Sequence, residues 1–339
     1  MKHYNIPVFV PHMGCPHDCV FCSQKKITGI TQNVTGETAR KIIDDYLQAV
    51  RPSGNVEISF FGGSFTGIPK SERRELLSVG YEYVNRGLAD GIRLSTRPDY
   101  INVEILDELM SYGVTAIELG VQSMDDEVLK QSGRGHTAAD VVHAVGLIKK
   151  YPFELGLQMM TGLPGDTPEK SVETALKIAN LRPDAVRVYP TLVIRGTELE
   201  RMMQCGTYIP WTVEDTVPVL VKIKRIFDNE KIKIIRMGLQ TTEEISPGAS
   251  VTGGPFHPAI GELTESEIFY EKLLEISDGL ENCTLAVACR REEVSKVIGH
   301  NAVNRKRLEN TRNIRLKTQI NETAACGELI VIEVKNDCS

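Results

Sequence analysis

Apolar and polar residues form two alternating kinds of block along the first two thirds of the chain. Short, mostly apolar runs predict strands, and longer stretches with apolar residues every three or four positions predict helices. The predicted strands are Ile6–Val10, Val56–Phe61, Ile92–Thr96, Ala116–Val121, Glu154–Met160 and Ala185–Tyr189. The predicted helices between them are Glu37–Ala49, Lys70–Arg86, Val103–Tyr112, Ala138–Lys149 and Glu169–Ala179.

The repeated strand-then-helix order predicts a parallel sheet with crossover helices. Six such units predict an α/β fold, a partial (β/α)6 TIM-like barrel, over residues 1–240. Polar and glycine-rich stretches follow several of the predicted strands. Because parallel α/β barrels place their chemistry at the carboxyl ends of the strands, we expect the active site there.

The last third has a different pattern. Residues 241–262 are rich in Gly and Pro and predict an irregular connection. Residues 263–339 predict a small basic α+β domain. Its predicted elements are a helix at Glu265–Ile276, strands at Thr284–Ala288, Ile314–Ile320 and Glu328–Val334, and a basic helical stretch at Glu292–Asn310.

Length and composition narrow the class of protein. The 339 residues allow one large domain and a smaller one, and 41% hydrophobic and 25% charged residues are typical of soluble globular proteins. No segment approaches the ~20 apolar residues of a membrane helix, and the N-terminus lacks a signal-peptide core. We therefore expect a cytoplasmic protein. Its eight cysteines, in a reducing compartment, indicate metal or redox chemistry rather than disulfides.

Three of the cysteines follow the first predicted strand at spacing C-x3-C-x2-C: Cys15, Cys19 and Cys22. Thiolates suit iron–sulfur clusters, and three of them would leave one iron of a [4Fe–4S] cluster open to a ligand. The alternative is a zinc knuckle, although zinc loops usually offer four ligands. The other cysteines, at 205, 283, 289, 326 and 338, lack the tight spacing of a second cluster.

Further polar and glycine residues lie at the ends of the next strands. Gly62, Gly63 and Ser64 end the second strand, and adjacent glycines allow backbone to approach a ligand closely. Alone, this segment is more often a tight turn. Single polar residues at the other strand ends could equally be structural groups.

Taken together, these motifs resemble the radical S-adenosylmethionine (SAM) superfamily. Over approximately residues 5–245 they closely resemble the radical SAM domain of the catalytic subunit of Elongator, a transfer-RNA-modifying complex. A more distant resemblance is to oxygen-independent coproporphyrinogen oxidases. The segments that carry the Elongator resemblance are Ser95–Asp99, Gly120–Ser123, Arg134–Thr137 and Tyr189–Thr197.

The resemblance implies that Cys15, Cys19 and Cys22 hold a [4Fe–4S] cluster whose open iron is chelated by the amino and carboxylate groups of SAM. An electron, from a flavodoxin- or ferredoxin-type reductant, would cleave SAM to a 5′-deoxyadenosyl radical. The residues implied to bind the cofactor are Phe21, Gly62, Gly63, Ser64, Ser95, Gln122, Arg134 and Gln158.

The resemblance also assigns individual contacts. The position matched by Arg134 pairs with the SAM carboxylate, and that matched by Gln122 contacts the ribose. Ser95 and Gln158 stand where the wider group has carboxylates, although Ser and Gln can still accept hydrogen bonds from hydroxyls. Elongator's subunit continues into an acetyltransferase-like domain. We expect none here, because the ~80–100 residues that remain would make only a small domain.

The basic segment 290–317 holds nine Lys or Arg residues against three Glu, within a chain of net charge −6. Gly299–Ala302 resembles the G-x-x-G loop of KH RNA-binding domains, with Ala302 in place of the second Gly. Arg305, Lys306 and Arg307 are therefore candidate RNA contacts; the alternative is a solvated helix face. Three functions stay open: RNA modification, radical chemistry on a small metabolite such as a porphyrin-pathway compound, and a non-catalytic iron–sulfur scaffold.

Overall fold

The computed structural model describes residues 3–10, 15, 19–22, 34–50, 54–239, 246 and 248–336. The chain divides into two compact units, Met1–Thr212 with Ile223–Phe256, and Val213–Lys222 with His257–Ser339. Part of the predicted connection 241–262, at 241–245 and 247, lies outside the described residues, as do 337–339. The sequence pattern gives no sign that Val213–Lys222 groups with the second unit.

The first unit contains a parallel sheet of seven strands that curls into a half-barrel. In chain order the strands of this unit are His3–Val10 (β1), Asn55–Gly62 (β2), Gly91–Thr96 (β3), Val114–Gln122 (β4), Glu154–Thr161 (β5), Ala185–Pro190 (β6), Val193–Ile194 (β7), Lys233–Met237 (β8) and Val251–Gly253 (β9). The sheet order is β1-β2-β3-β4-β5-β6-β8, and β7 pairs separately with β9.

The prediction of a partial barrel is confirmed. The sheet has seven strands where six were predicted, and β8 is the additional one. This strand is short, begins with Lys233 and contains Arg236, and it pairs only with β6 at the edge of the sheet. An edge strand is only half-buried, so its sequence lacks the apolar run that marks the inner strands.

Helices connect the strands; the five predicted ones lie close to their predicted limits, and three more were not predicted. They are Gly36–Val50 (α1), Lys70–Asn85 (α2), Val103–Ser111 (α3), Asp126–Gln131 (α4), Ala138–Ile148 (α5), Pro168–Asn180 (α6), Glu198–Gln204 (α7) and Val213–Asn229 (α8). Local chemistry sets several of the starts: Thr137 and Asp140 form a capping box at α5, and Asn102 caps α3.

Alternate strand residues point to opposite faces of the sheet. Fully buried apolar residues such as Ile58 and Leu94 form one set, and each stabilises the fold by about 1.5–3 kcal/mol. The other set contains Glu57, Arg93 and Glu118, which are also buried. The strands therefore carry an apolar face and a polar face.

The charges near the starts of the strands neutralise one another. Arg93 Nε donates to Glu57 at 2.7 Å, and its Nη2 donates to Glu154 at 2.9 Å. Arg187 binds both oxygens of Glu118, at 2.7 and 3.1 Å. Because buried charges are stable only when paired, these residues form a network of ion pairs at this end of the strands.

The second unit is a small α+β structure. It comprises Ile260–Ile276 (α9), Cys283–Cys289 (β10), Val294–Ile298 (α10), Val303–Arg312 (α11), Ile314–Ile320 (β11) and Ile330–Asn336 (β12). Strand β10 lies in the centre of the sheet, parallel to β11 and antiparallel to β12. Its core includes Leu285, Val287 and Leu308.

The prediction of one basic helical stretch over Glu292–Asn310 is wrong. The helix breaks at Gly299, Asn301 and Ala302, whose φ angles are 84°, 52° and 60°. Positive φ cannot continue a right-handed helix, so α10 and α11 are separated by a loop. In the part of the chain that the structure describes, none of the helices has the length and apolarity needed to span a bilayer.

Candidate active site

The cysteine segment is attached to two other parts of the first unit. Val20 N donates to Ser132 O at 3.1 Å, and Val20 O accepts from Leu199 N at 2.8 Å. Cys22 N donates to Cys19 O at 2.9 Å, which makes residues 19–22 a turn. These bonds hold the thiols of Cys19 and Cys22 at the carboxyl end of the sheet.

Phe21, a predicted cofactor contact, packs with Val20 against an apolar cluster of Val193, Leu199 and Tyr208. This packing holds the backbone on either side of Cys19 and Cys22. In this structure Phe21 thus has an anchoring contact; a contact with the cofactor stays a prediction.

Cys15 lies close to the same group. Burial raises the pKa of its thiol, while a backbone hydrogen bond from Ser64 lowers it. The electrostatic neighbours of this thiol include Cys19, Arg134 and Arg97. Among the described residues, no three His, Cys, Asp or Glu side chains converge as a metal-binding set. The three-cysteine ligand set remains a prediction.

Arg134 is the central polar residue of this region, and it is only 7% exposed. Its Nη2 donates to Gly120 O at 2.6 Å and its Nη1 donates to Cys19 Sγ at 3.4 Å. Within the described ranges the guanidinium has no carboxylate partner, and its Nε has no hydrogen-bond partner. A buried, unneutralised guanidinium is unfavourable by itself and suited to binding a carboxylate.

Gly120 provides the space for this side chain. A Cβ atom there would lie 2.8 Å from Gln122 Nε2 and 3.1 Å from Arg134 Nη2. Gln122 itself has φ 65°, beside a shift in the β4–β5 register. Its Oε1 accepts from Gln158 Nε2 at 3.2 Å. The structure therefore brings three predicted site residues together, and the irregularity at Gln122 is of a kind common beside active sites.

The Gly-Gly-Ser segment joins the ends of β1 and β2. Gly62 has φ 109°, and Gly63 N donates to Val10 O at 2.7 Å. The Ser64 hydroxyl lies 3.0 Å from Thr96 Oγ1, one residue beyond the half-buried Ser95 of β3. Because the Gly63 amide and the Ser64 hydroxyl are used internally, a ligand here would have to meet carbonyl groups.

Sequence reasoning missed His136, which lies two residues beyond Arg134. This side chain is 4% exposed, its Nε2 lies 3.2 Å from Val121 O, and its Nδ1 has no partner within the described residues. Burial, reinforced by the charges of Arg134 and Arg97, lowers the pKa of His136 to about 4. His136 lies in the segment Arg134–Thr137 that carries the resemblance, so its position in that segment could have indicated it.

Comparisons with known proteins give two family matches and a similar fold. Residues 9–178 match the family model described as the Radical SAM superfamily, and residues 183–269 match the Radical_SAM C-terminal domain. Elp3 from the archaeon Methanocaldococcus infernus, with an N-terminal deletion, has a similar fold, with a TM-score of 0.64 at 23% sequence identity. The similarity covers 81% of this chain and 63% of that chain.

Two curated relatives carry names that concern transfer RNA or Elongator. A tRNA uridine(34) acetyltransferase of Dehalococcoides mccartyi is 26% identical over 281 residues, covering 69% of this chain and 61% of the relative. Elongator complex protein 3 of Bos taurus is 30% identical over 258 residues, covering 63% and 47%. The chain thus spans about half the length of the curated relatives it matches.

Proposed function

This chain belongs to the radical SAM superfamily of enzymes, and we propose that it cleaves S-adenosylmethionine reductively and acts in the modification of a transfer RNA. We propose Cys15, Cys19 and Cys22 as ligands of a [4Fe–4S] cluster. When bound, the cluster would supply the electron that cleaves SAM to a 5′-deoxyadenosyl radical, after reduction by a flavodoxin- or ferredoxin-type protein.

The residues at the site fit these two groups. Cys15 and Cys19 are close enough to interact electrostatically, and residues 19–22 are anchored on both sides. Soft thiolates are the ligands that iron–sulfur clusters take. The orphaned Nε of Arg134 and the missing Cβ of Gly120 leave donors and space beside these thiols.

One observation carries the proposal: a buried guanidinium without an acid partner, among the described residues, lies against Cys19. Arg134 would pair with the SAM carboxylate and thereby hold the cofactor beside the cysteines. Gln122 and Gln158 already contact one another and would bind the ribose hydroxyls. The contribution of these residues is to bind and orient the cofactor.

The transfer-RNA part of the proposal is supported by the names of the relatives, tRNA uridine(34) acetyltransferase and Elongator complex protein 3. Because the chain spans about half of each, acetyl transfer is not included in the proposal.

The second unit supports RNA contact through its loop Gly299–Ala302. Ala302 adopts φ 60°, a conformation that usually requires glycine, so the loop is left-handed although its second glycine is absent. Arg305 and Lys306 follow this loop on α11 and stay candidates for phosphate contact. Arg307 is the weakest of the three candidates, because it already binds Glu267 at 2.5 and 3.1 Å and stacks on Tyr270.

Anaerobic reconstitution tests the cluster and the cleavage of SAM. Wild-type protein should load about four irons per chain and form 5′-deoxyadenosine from SAM and dithionite. The triple variant Cys15→Ala, Cys19→Ala, Cys22→Ala should do neither, whereas the matched control Cys205→Ala, at an exposed cysteine, should do both. Full iron loading of the triple variant would show that the ligands are elsewhere.

Isotope transfer tests the substrate class. Transfer RNA and a small-metabolite pool, each from cells grown in deuterated medium, are supplied separately to the loaded enzyme. Deuterium in 5′-deoxyadenosine with transfer RNA alone supports the proposal. Deuterium with the small-metabolite pool alone would contradict the RNA assignment and leave SAM cleavage intact.

A further inference from the structure

We propose that Arg134 has a second role, as the residue that sets the reduction potential of the cluster by donating an N–H···S hydrogen bond to Cys19. The inference rests on the proposed function, since it takes Cys19 to be a cluster ligand. Arg134 would then act on the cluster through the Cys19 thiolate, in addition to binding SAM.

The contact itself is direct. Arg134 Nη1 lies 3.4 Å from Cys19 Sγ, and both residues are buried, with 7% and 8% of their surface exposed. Hydrogen bonds and positive charge near cluster sulfurs stabilise the reduced cluster, which carries one more negative charge than the oxidised cluster. Burial reduces solvent screening, so one uncompensated guanidinium should have a large effect here.

Among the described residues, the other arginine near these thiols is neutralised by an acid, which leaves Arg134 as the uncompensated cation. Arg97 also interacts with Cys15, but it binds both oxygens of Asp99 at 2.9 Å. An arginine paired in this way contributes little net field. Arg134, in contrast, bonds only a carbonyl and a thiol within the described part of the chain.

The fold positions the arginine and the cysteine as one assembly. Val20, next to Cys19, donates its amide to Ser132 O, two residues before Arg134. Arg134 N in turn donates to Leu129 O at 3.0 Å, between glycines with φ 66° and 72°. The hydrogen bond to sulfur is therefore supported by backbone bonds on both sides, and does not depend on a mobile surface side chain.

The test is a redox titration of reconstituted full-length protein without SAM, followed by the paramagnetic resonance signal of the reduced cluster. Arg134→Gln should shift the midpoint potential to more negative values at unchanged iron content. Arg134→Lys, which keeps the charge but loses the planar donor, should fall between. Arg40→Gln removes an exposed arginine paired with Glu82 and should match wild type.

A second variant keeps the guanidinium in the protein. Gly120→Ala places a Cβ 3.1 Å from Arg134 Nη2, which should displace the side chain and give a smaller shift of the same sign. This variant and Arg134→Lys carry the test if Arg134→Gln fails to load iron.

Equal midpoints in wild type, Arg134→Gln and Gly120→Ala, with full clusters and normal SAM cleavage in wild type, would overturn this inference alone. A wild-type protein that holds no cluster would overturn the proposed function as well.

Discussion

Two arginines of this protein have opposite surroundings. Arg307, in the second unit, lies in a basic segment, and the sequence alone suggests that it is available to bind RNA. Its guanidinium, however, binds Glu267 and stacks on the ring of Tyr270. Arg134, in the first unit, is a single arginine between glycines, is buried, and lacks an acid partner within the described ranges.

The surroundings of a buried arginine indicate whether a ligand is expected beside it. A buried arginine with its acid beside it is a structural element, because the pair satisfies the charge. Arg93 and Arg187, near the starts of the strands, belong to this class. Arg307 is partly exposed but likewise has its acid, Glu267, beside it. A buried arginine without an acid partner indicates that an anionic ligand supplies the opposite charge. Arg134 belongs to this second class.

Arg93→Gln should have the largest effect on stability. It would leave Glu57 buried without its arginine and Glu118 paired with Arg187 alone, and removal of one partner from a buried pair costs about 3–5 kcal/mol. Urea unfolding monitored by circular dichroism measures the loss, and Arg40→Gln, at an exposed pair, should lose less than about 1 kcal/mol. If both variants lose the same small amount of unfolding free energy, the buried ion pairs of Arg93 do not stabilise the fold.

His136 should make the stability of the protein depend on pH, because burial keeps its imidazole neutral beside Arg134. Its pKa is about 4 in the folded protein and 6.5 in the unfolded chain. Between these values only the unfolded chain takes up the proton, so stability falls as the pH falls. From pH 7 to pH 5 the loss should be about 2 kcal/mol.

His136→Gln should remove that part of the pH dependence. The measurement is the free energy of unfolding of both proteins at pH 7 and pH 5. If the two proteins lose the same stability over this range, His136 is not held neutral by the fold.

Arg307→Gln should cost only about 1 kcal/mol, since Arg307 is more than one third exposed and solvent screens its pair with Glu267. It should leave transfer-RNA affinity unchanged, because the guanidinium is already engaged. Markedly weaker RNA binding by this variant in a gel-shift titration would show that Arg307 contacts the RNA despite its pair with Glu267.

The smallest effect is expected for Arg305 and Lys306. If both contact phosphates, changing both to Gln should weaken binding to many RNA sequences alike and reduce the salt slope by about 2. Affinity measured over a range of salt concentrations gives that slope. An unchanged slope would indicate a solvated helix face.

The inner strands and five of the helices of the first unit could be read from periodicity, because the strands contain short apolar runs and these helices carry apolar residues every three or four positions. Helices α4, α7 and α8 have no counterpart among the predicted helices. Strand β8 was out of reach, since an edge strand with Lys233 and Arg236 carries little apolar signal. The break at Asn301 and Ala302 was also hidden, because neither residue demands a positive φ; only Gly299 gave a hint.

The resemblance selects Arg134, Gln122 and Gln158 as cofactor contacts, and the structure places these three side chains near one another. Their role in binding a cofactor stays a prediction. No pattern in the sequence says that Arg307 meets Glu267 or that Arg134 meets Cys19, since these pairs are 40 and 115 residues apart. Pairing of charges over such separations is decided by packing.

Whether Arg134 holds the SAM carboxylate is tested most directly by the affinity of the cluster-loaded protein for SAM in wild type, Arg134→Gln and Arg307→Gln. Loss of a charge-assisted interaction with the SAM carboxylate is worth about 1.5–3 kcal/mol, so Arg134→Gln should bind SAM roughly 10- to 100-fold more weakly. Arg307→Gln should bind it as wild type does. Equal affinities in all three loaded proteins would show that Arg134 does not bind the SAM carboxylate.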